Sequence, residues 1–154
     1  MFSVTVVPQS LKVDSREFLY VAGRVWLTIS DVDFPGRDWS DSPLSVIGSL
    51  GTAVRDYMAD GIGEMYFFGG PFLGRLTPDP LNDSLVVVSG IGARPPFAGS
   101  LEIEERVQAQ ASVPLREVLG TYQASLRDLT EWASRNKEVE ILSVILRMER
   151  FADY

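Results

Sequence analysis

A chain of 154 residues, 45% apolar and 23% charged, has the length and composition of one domain over residues 1–154 with a real hydrophobic core. It contains no Cys and no His, which excludes disulfides, thiolate chemistry, a Ser-His-Asp triad and any Cys/His zinc site. A net charge of −7 argues against nucleic acid as a partner, because phosphate binding rests on Lys and Arg.

The first residues, MFSVTVVPQS, lack the basic region and cleavage site of a signal peptide. No apolar run approaches the roughly 18 residues that a membrane span needs. A cytoplasmic setting without membrane contact is the expectation.

Phe2–Val7 is a short β-rich run stopped by Pro8. Lys12–Glu17 is polar and reads as a hairpin turn. Phe18–Ile29 alternates with period two: Leu19, Val21, Val25, Leu27 and Ile29 share a face, so a strand with a buried side is predicted. Asp31–Asp41 is a loop with a Pro35-Gly36 turn. Ser42 then reads as an N-cap and Pro43 as the first helical residue. Leu44, Ile47, Leu50, Val54 and Met58 follow at helical spacing, and Gly61 is the stop. Gly48 and Gly51 would let this helix approach a sheet closely.

Glu64–Phe68 is a strand, broken by Gly69-Gly70-Pro71 and resumed over Phe72–Leu76. After a turn at Thr77–Asn82, Ser84–Ser89 is apolar on both faces and reads as an interior strand. Gly90–Gly99 is a Gly/Pro-rich loop. Leu101–Ala109 alternates, with Leu101, Ile103, Val107 and Ala109 on one face; Glu105 on that face predicts a bulge or an edge there. Ser112-Val113-Pro114 opens a second helix with a stripe of Leu115, Val118, Leu119, Tyr122, Leu126, Leu129, Trp132 and Ala133. Arg135-Asn136-Lys137 closes it. Val139–Met148 is apolar on both faces and reads as a central strand, and Glu149–Tyr154 as a polar tail.

The predicted order is ββαββββαβ, an α+β fold: a mostly antiparallel sheet of about six to seven strands with two helices packed on one face.

Candidate chemistry is sparse. Asp31, Asp33, Asp38 and Asp41 could gather around a cation, but the loop lacks the Glu that closes an EF-hand, and turn and helix capping explain such residues better. Neither GIGEMYFFGG nor SGIGARPPFAG has phosphate-loop spacing. Glu102 and Glu104 share a strand face and could form a carboxylate pair, but a solvated polar face explains them better. No catalytic residue, metal or cofactor is assigned. Residues 31–64 hold two basic and seven acidic groups, net −5, with Trp39 in their midst. Trp39 is either a staple between loop and helix or an aromatic anchor ringed by acids, as at a protein-binding hot spot. Asp31, Asp33, Asp38, Trp39 and Asp41 are therefore the candidate partner-binding residues. Phe67, Phe68, Phe72 and Phe97 could instead line a pocket or fill the core.

The pattern F-P-x-x-D-W-S-D, then a helix, then an aromatic strand ending near G-G-P-F resembles bacterial immunity proteins encoded beside polymorphic or contact-dependent toxins. Phe34, Pro35, Trp39, Asp41, Gly70, Pro71 and Phe72 carry it. Gly69 stands where the related motif has an acid. The resemblance implies stoichiometric inhibition of a toxin without catalysis. An acidic inhibitor suits a basic toxin domain. Two alternatives stand beside it: a small-molecule-binding protein or carboxylate-dependent enzyme using an aromatic pocket, and a structural subunit of a homo-oligomer, for which a homodimer suffices.

Overall fold

The computed structural model describes residues 1–152; Asp153 and Tyr154, the end of the expected polar tail, lie outside the described residues. In chain order the elements are β1 (Phe2–Val6), β2 (Lys12–Ser15), β3 (Tyr20–Ile29), β4 (Val32–Phe34), β5 (Ser40–Asp41), α1 (Pro43–Asp60), β6 (Gly63–Tyr66), β7 (Phe72–Pro78), β8 (Leu85–Arg94), β9 (Glu104–Pro114), α2 (Leu115–Arg135) and α3 (Val139–Leu146). The fold is α+β and its strand pairings are antiparallel, but the strands form two sheets rather than one.

Strand β3 is the hub of the five-stranded sheet. β1, β2, β4 and β5 all pair with it, with Phe2 opposite Ile29 and Leu27 opposite Phe34. The alternation read from the sequence holds from Val21 on, with Val21, Val25, Leu27 and Ile29 fully buried, but Leu19 precedes the strand, half-buried in a left-handed turn (φ 50°). Phe18 lies in the preceding turn and is exposed. Lys12–Ser15 is a strand rather than turn, paired with β3 up to a register shift.

The second sheet runs β6-β7-β8-β9. Its inner face meets the first sheet. A side chain at Gly90 would strike the Phe34 ring, and one at Gly74 would strike Met65. Gly90 is thus set by close packing between the layers, and Gly74 by the side chain opposite it on the neighbouring strand β6. Residues Gly90–Arg94, expected as loop, continue β8 beside β9.

The predicted single face of Leu101, Ile103, Val107 and Ala109 is also corrected. β9 begins only at Glu104, and Gln108 is an extra residue between Val107, opposite Ile91, and Ala109, opposite Gly90. The bulge switches the strand's parity. Ala109 faces the core, whereas Leu101, Ile103 and Val107 are exposed. Glu105 carries no bulge; it sits on the outer face of an edge strand.

Helix α1 begins at Pro43 and ends at Gly61, whose φ of 78° is the left-handed turn expected of a glycine stop. Ser42 takes the N-cap place, though its hydroxyl donates to Ser45 Oγ rather than capping the backbone. Gly51 packs not on a sheet but against Tyr122 of α2, and Gly48 faces Met148. Helix α2 buries Val118, Leu119, Tyr122, Leu126, Leu129 and Ala133, the stripe expected.

Val139–Leu146 is a third helix, not the central strand predicted. A run apolar on every face carries no period, so strand and helix cannot be told apart within it. The left-handed turn at Lys137 sends the chain back on itself, and only Ile141 and Ile145, one helical turn apart, are buried.

Candidate functional site

The loop between β6 and β7 and the turn before α1 are held together by one carboxylate. Asp41 is 6% exposed. Its Oδ1 accepts the backbone N–H of Ser42 at 2.7 Å and of Phe68 at 3.1 Å. Its Oδ2 accepts the Trp39 indole N–H at 2.9 Å and the Gly69 N–H at 3.0 Å. A buried charge is tolerated only when such donors replace its water.

Local sequence explains the arrangement. Asp41 lies in β5, opposite Gly23 of β3. Trp39 is two residues earlier and points the same way, as strand alternation requires. Its half-buried ring meets Phe72 edge-on, with centroids 5.4 Å apart. Phe72 meets Phe34 edge-on at 5.7 Å, and Phe34 meets Phe67 at 5.8 Å. Edge-to-face chains of this kind add stabilisation beyond the area they bury. Gly70, with φ of 81°, turns the loop close over Trp39 and Phe72.

Phe68 alone escapes this aromatic chain. It projects from the clamped loop, 73% exposed, with Tyr20 beside it at 6.0 Å. Burial raises the Tyr20 hydroxyl above its ordinary pKa, helped by the charges of Asp41 and Asp14. The sequence signal for Phe68 is the pair Phe67-Phe68: neighbours on a strand point to opposite faces, so one of the two must face outward.

Of the five residues singled out in the sequence, the structure joins Trp39 and Asp41 in one unit. Trp39 is a staple between its loop and the β6–β7 loop. Asp33 accepts from Arg37 Nε at 2.8 Å and Thr28 Oγ1 at 2.9 Å, bonds that lower its pKa. Asp38, in a left-handed turn (φ 57°), pairs with Arg24 at 3.2 Å. Asp31 is exposed in the β3–β4 turn. The acids do not converge. Among the described residues, no three Asp or Glu side chains are grouped so as to hold a metal ion.

On the other side of Phe72 the inner face of the second sheet runs beyond the core and opens into a cleft of about 450 Å³. Phe72, Arg94, Pro96, Glu104, Arg106 and Gln108 line it. The Arg94 guanidinium lies 5.3 Å over the Phe72 ring. Arg106 pairs with Glu104 at 3.0 Å. Two guanidinium groups and one carboxylate line this cleft, and each guanidinium already has a partner within the chain, Phe72 for Arg94 and Glu104 for Arg106. The carboxylate pair considered from sequence does not form: Glu102 precedes β9, and Glu104 is tied to Arg106. Phe67 is core and Phe97 is exposed in the β8–β9 loop.

Among the described residues, no helix is long and apolar enough to cross a membrane. Compared with protein families, curated proteins and solved structures, the chain matches none.

Proposed function

We propose that this chain is a non-catalytic binding protein that captures a protein partner at the Phe68 loop, in the manner of the immunity proteins it resembles. One observation carries the reading: an aromatic side chain 73% exposed stands on a loop whose Phe68 and Gly69 N–H groups both donate to one buried carboxylate, which the Trp39 and Ser42 N–H groups hold from the other side. An exposed Phe costs solvation in the free protein, and a rigid loop loses little entropy on docking. That combination is what a hot spot requires.

The partner is a basic protein, and the reading extends to a toxin domain met in the cytoplasm. The net charge of −7 favours encounter with such a surface. In this reading Phe68 is the anchor, Trp39 and Asp41 position it, and Asp31, Asp33 and Asp38 supply negative potential at the rim. Of the residues that carry the resemblance, Trp39, Asp41, Gly70 and Phe72 lie together at the clamp.

Co-purification with the product of the gene adjacent to its own tests the proposal. The expected result is a stoichiometric complex, and protection from that product when both are expressed in one cell. A neighbour that neither binds nor harms the cell contradicts it.

A further inference from the structure

Strand β9 ends the second sheet, and the outer edge of its first turn of residues, Glu104–Val107, pairs with no strand among the described residues. Further along, Ser30 Oγ donates to the Gln110 carbonyl at 3.3 Å, so the edge is covered there and open before it. The open part is apolar for an edge. Ile103 is 63% and Val107 58% exposed, and Leu101 stands wholly in water. Unpaired backbone groups beside exposed apolar side chains invite another strand.

The residue order says which strand fits. The sequence I-E-E-R-V is self-complementary about its central residue. In an antiparallel pairing about a two-fold axis at Glu105, Glu104 stands opposite Arg106 of the second copy, and Arg106 opposite Glu104 of the second copy. Ile103 stands opposite Val107 of the second copy, again twice. Opposite charges and apolar side chains are the favourable cross-strand pairs. The two Glu105 side chains meet at the axis, where each is already held by Arg75 through two hydrogen bonds of 2.8 Å. Arg75 also reaches Glu64 at 3.5 Å. Each Glu105 at the axis thus has a guanidinium counter-charge in its own copy, shared with Glu64.

We infer that the chain forms a symmetric homodimer by antiparallel pairing of its β9 edges about Glu105, joining two four-stranded sheets into one continuous sheet. The contact is isologous, so it closes after two copies and does not propagate. It leaves the Phe68 loop out of the interface and does not depend on the function proposed for that loop.

The test is the mass in solution by light scattering across a dilution series, for the intact chain, Arg106→Glu and the charge-swapped double variant Glu104→Arg/Arg106→Glu. The intact chain is expected at twice its 17.1 kDa. Arg106→Glu sets Glu opposite Glu twice and should weaken association by at least about tenfold, while the swap should restore it. Exposed positions at 43% and 73% side-chain accessibility should tolerate these changes without unfolding. A monomer at every concentration, or a dimer indifferent to Arg106→Glu, overturns the inference. The measurement needs no partner protein, so its failure leaves the Phe68 reading untouched.

Discussion

Asp41 is the residue on which the candidate site depends. Its two oxygens satisfy four donors from two segments of chain, and both Phe68 and Gly69 are held by it. Replacing it by Ala leaves those donors buried without acceptors, at a cost of about 3 kcal/mol. Asp41→Asn keeps the shape but sets an amide donor against two of the donors, so it too should lower stability, by about 2 kcal/mol. Denaturant unfolding measures both, and amide exchange at Phe68 and Gly69 should accelerate in each variant. Trp39 and Asp41 were legible as a pair in the sequence, being two residues apart in a polar loop. Their partners at Phe68 and Gly69 were not, because backbone N–H groups leave no trace in residue type. Tyr122 makes a second residue-scale case. It is buried, donates to the Glu149 carbonyl at 2.9 Å, and burial pushes its pKa up to about 12. A folded pKa above the unfolded value of about 10 means stability is full below that pH and falls as pH rises toward 12. Tyr122→Phe loses the hydrogen bond but should also lose this alkaline decline, which denaturation midpoints taken at rising pH would show.

At the scale of elements, two glycines one turn apart in α1 predict opposite outcomes. A side chain at Gly48 would meet only Met148 at 3.6 Å, an ordinary contact. Gly48→Ala should therefore stabilise by roughly 1 kcal/mol through helix propensity. A side chain at Gly51 would overlap the Tyr122 hydroxyl and ring, so Gly51→Ala should destabilise by about 2 kcal/mol despite the same propensity gain. Thermal unfolding of the two variants separates the effects. The comparison also shows which elements the chain announces. The face of β3 and the stripe of α2 were legible because half-buried elements alternate at their own period. Helix α3 was not, because the apolar run Ile141-Leu142 and Val144-Ile145-Leu146 covers every face and marks no period; it is packing on α2 that decides. The β8–β9 hairpin was misread for a different reason. The glycines that suggest loop answer to close neighbours instead, Gly90 to Phe34 and Gly92 to Gln108, and one bulge residue, Gln108, reverses the faces of everything before it.

The whole molecule combines an acidic surface with one rigid, exposed aromatic loop and a separate open sheet edge. Most acids of residues 31–64 are tied locally, as in the pairs of Asp33 with Arg37, Asp38 with Arg24 and Asp56 with Arg55. In the proposed complex the net −5 of that segment would act as a diffuse field that speeds encounter, while affinity would rest on burying the exposed Phe68. The charge imbalance was visible in the sequence; its dispersal over several turns needed the fold. The most direct test is a calorimetric titration of the adjacent gene's product with the intact chain, with Phe68→Ala, and with Leu81→Ala as a still more exposed apolar control in the β7–β8 turn. Phe68→Ala should weaken binding by about thirtyfold, near 2 kcal/mol, with Leu81→Ala unchanged. Equal affinity of Phe68→Ala and the intact chain would contradict the assignment of Phe68 as the anchor.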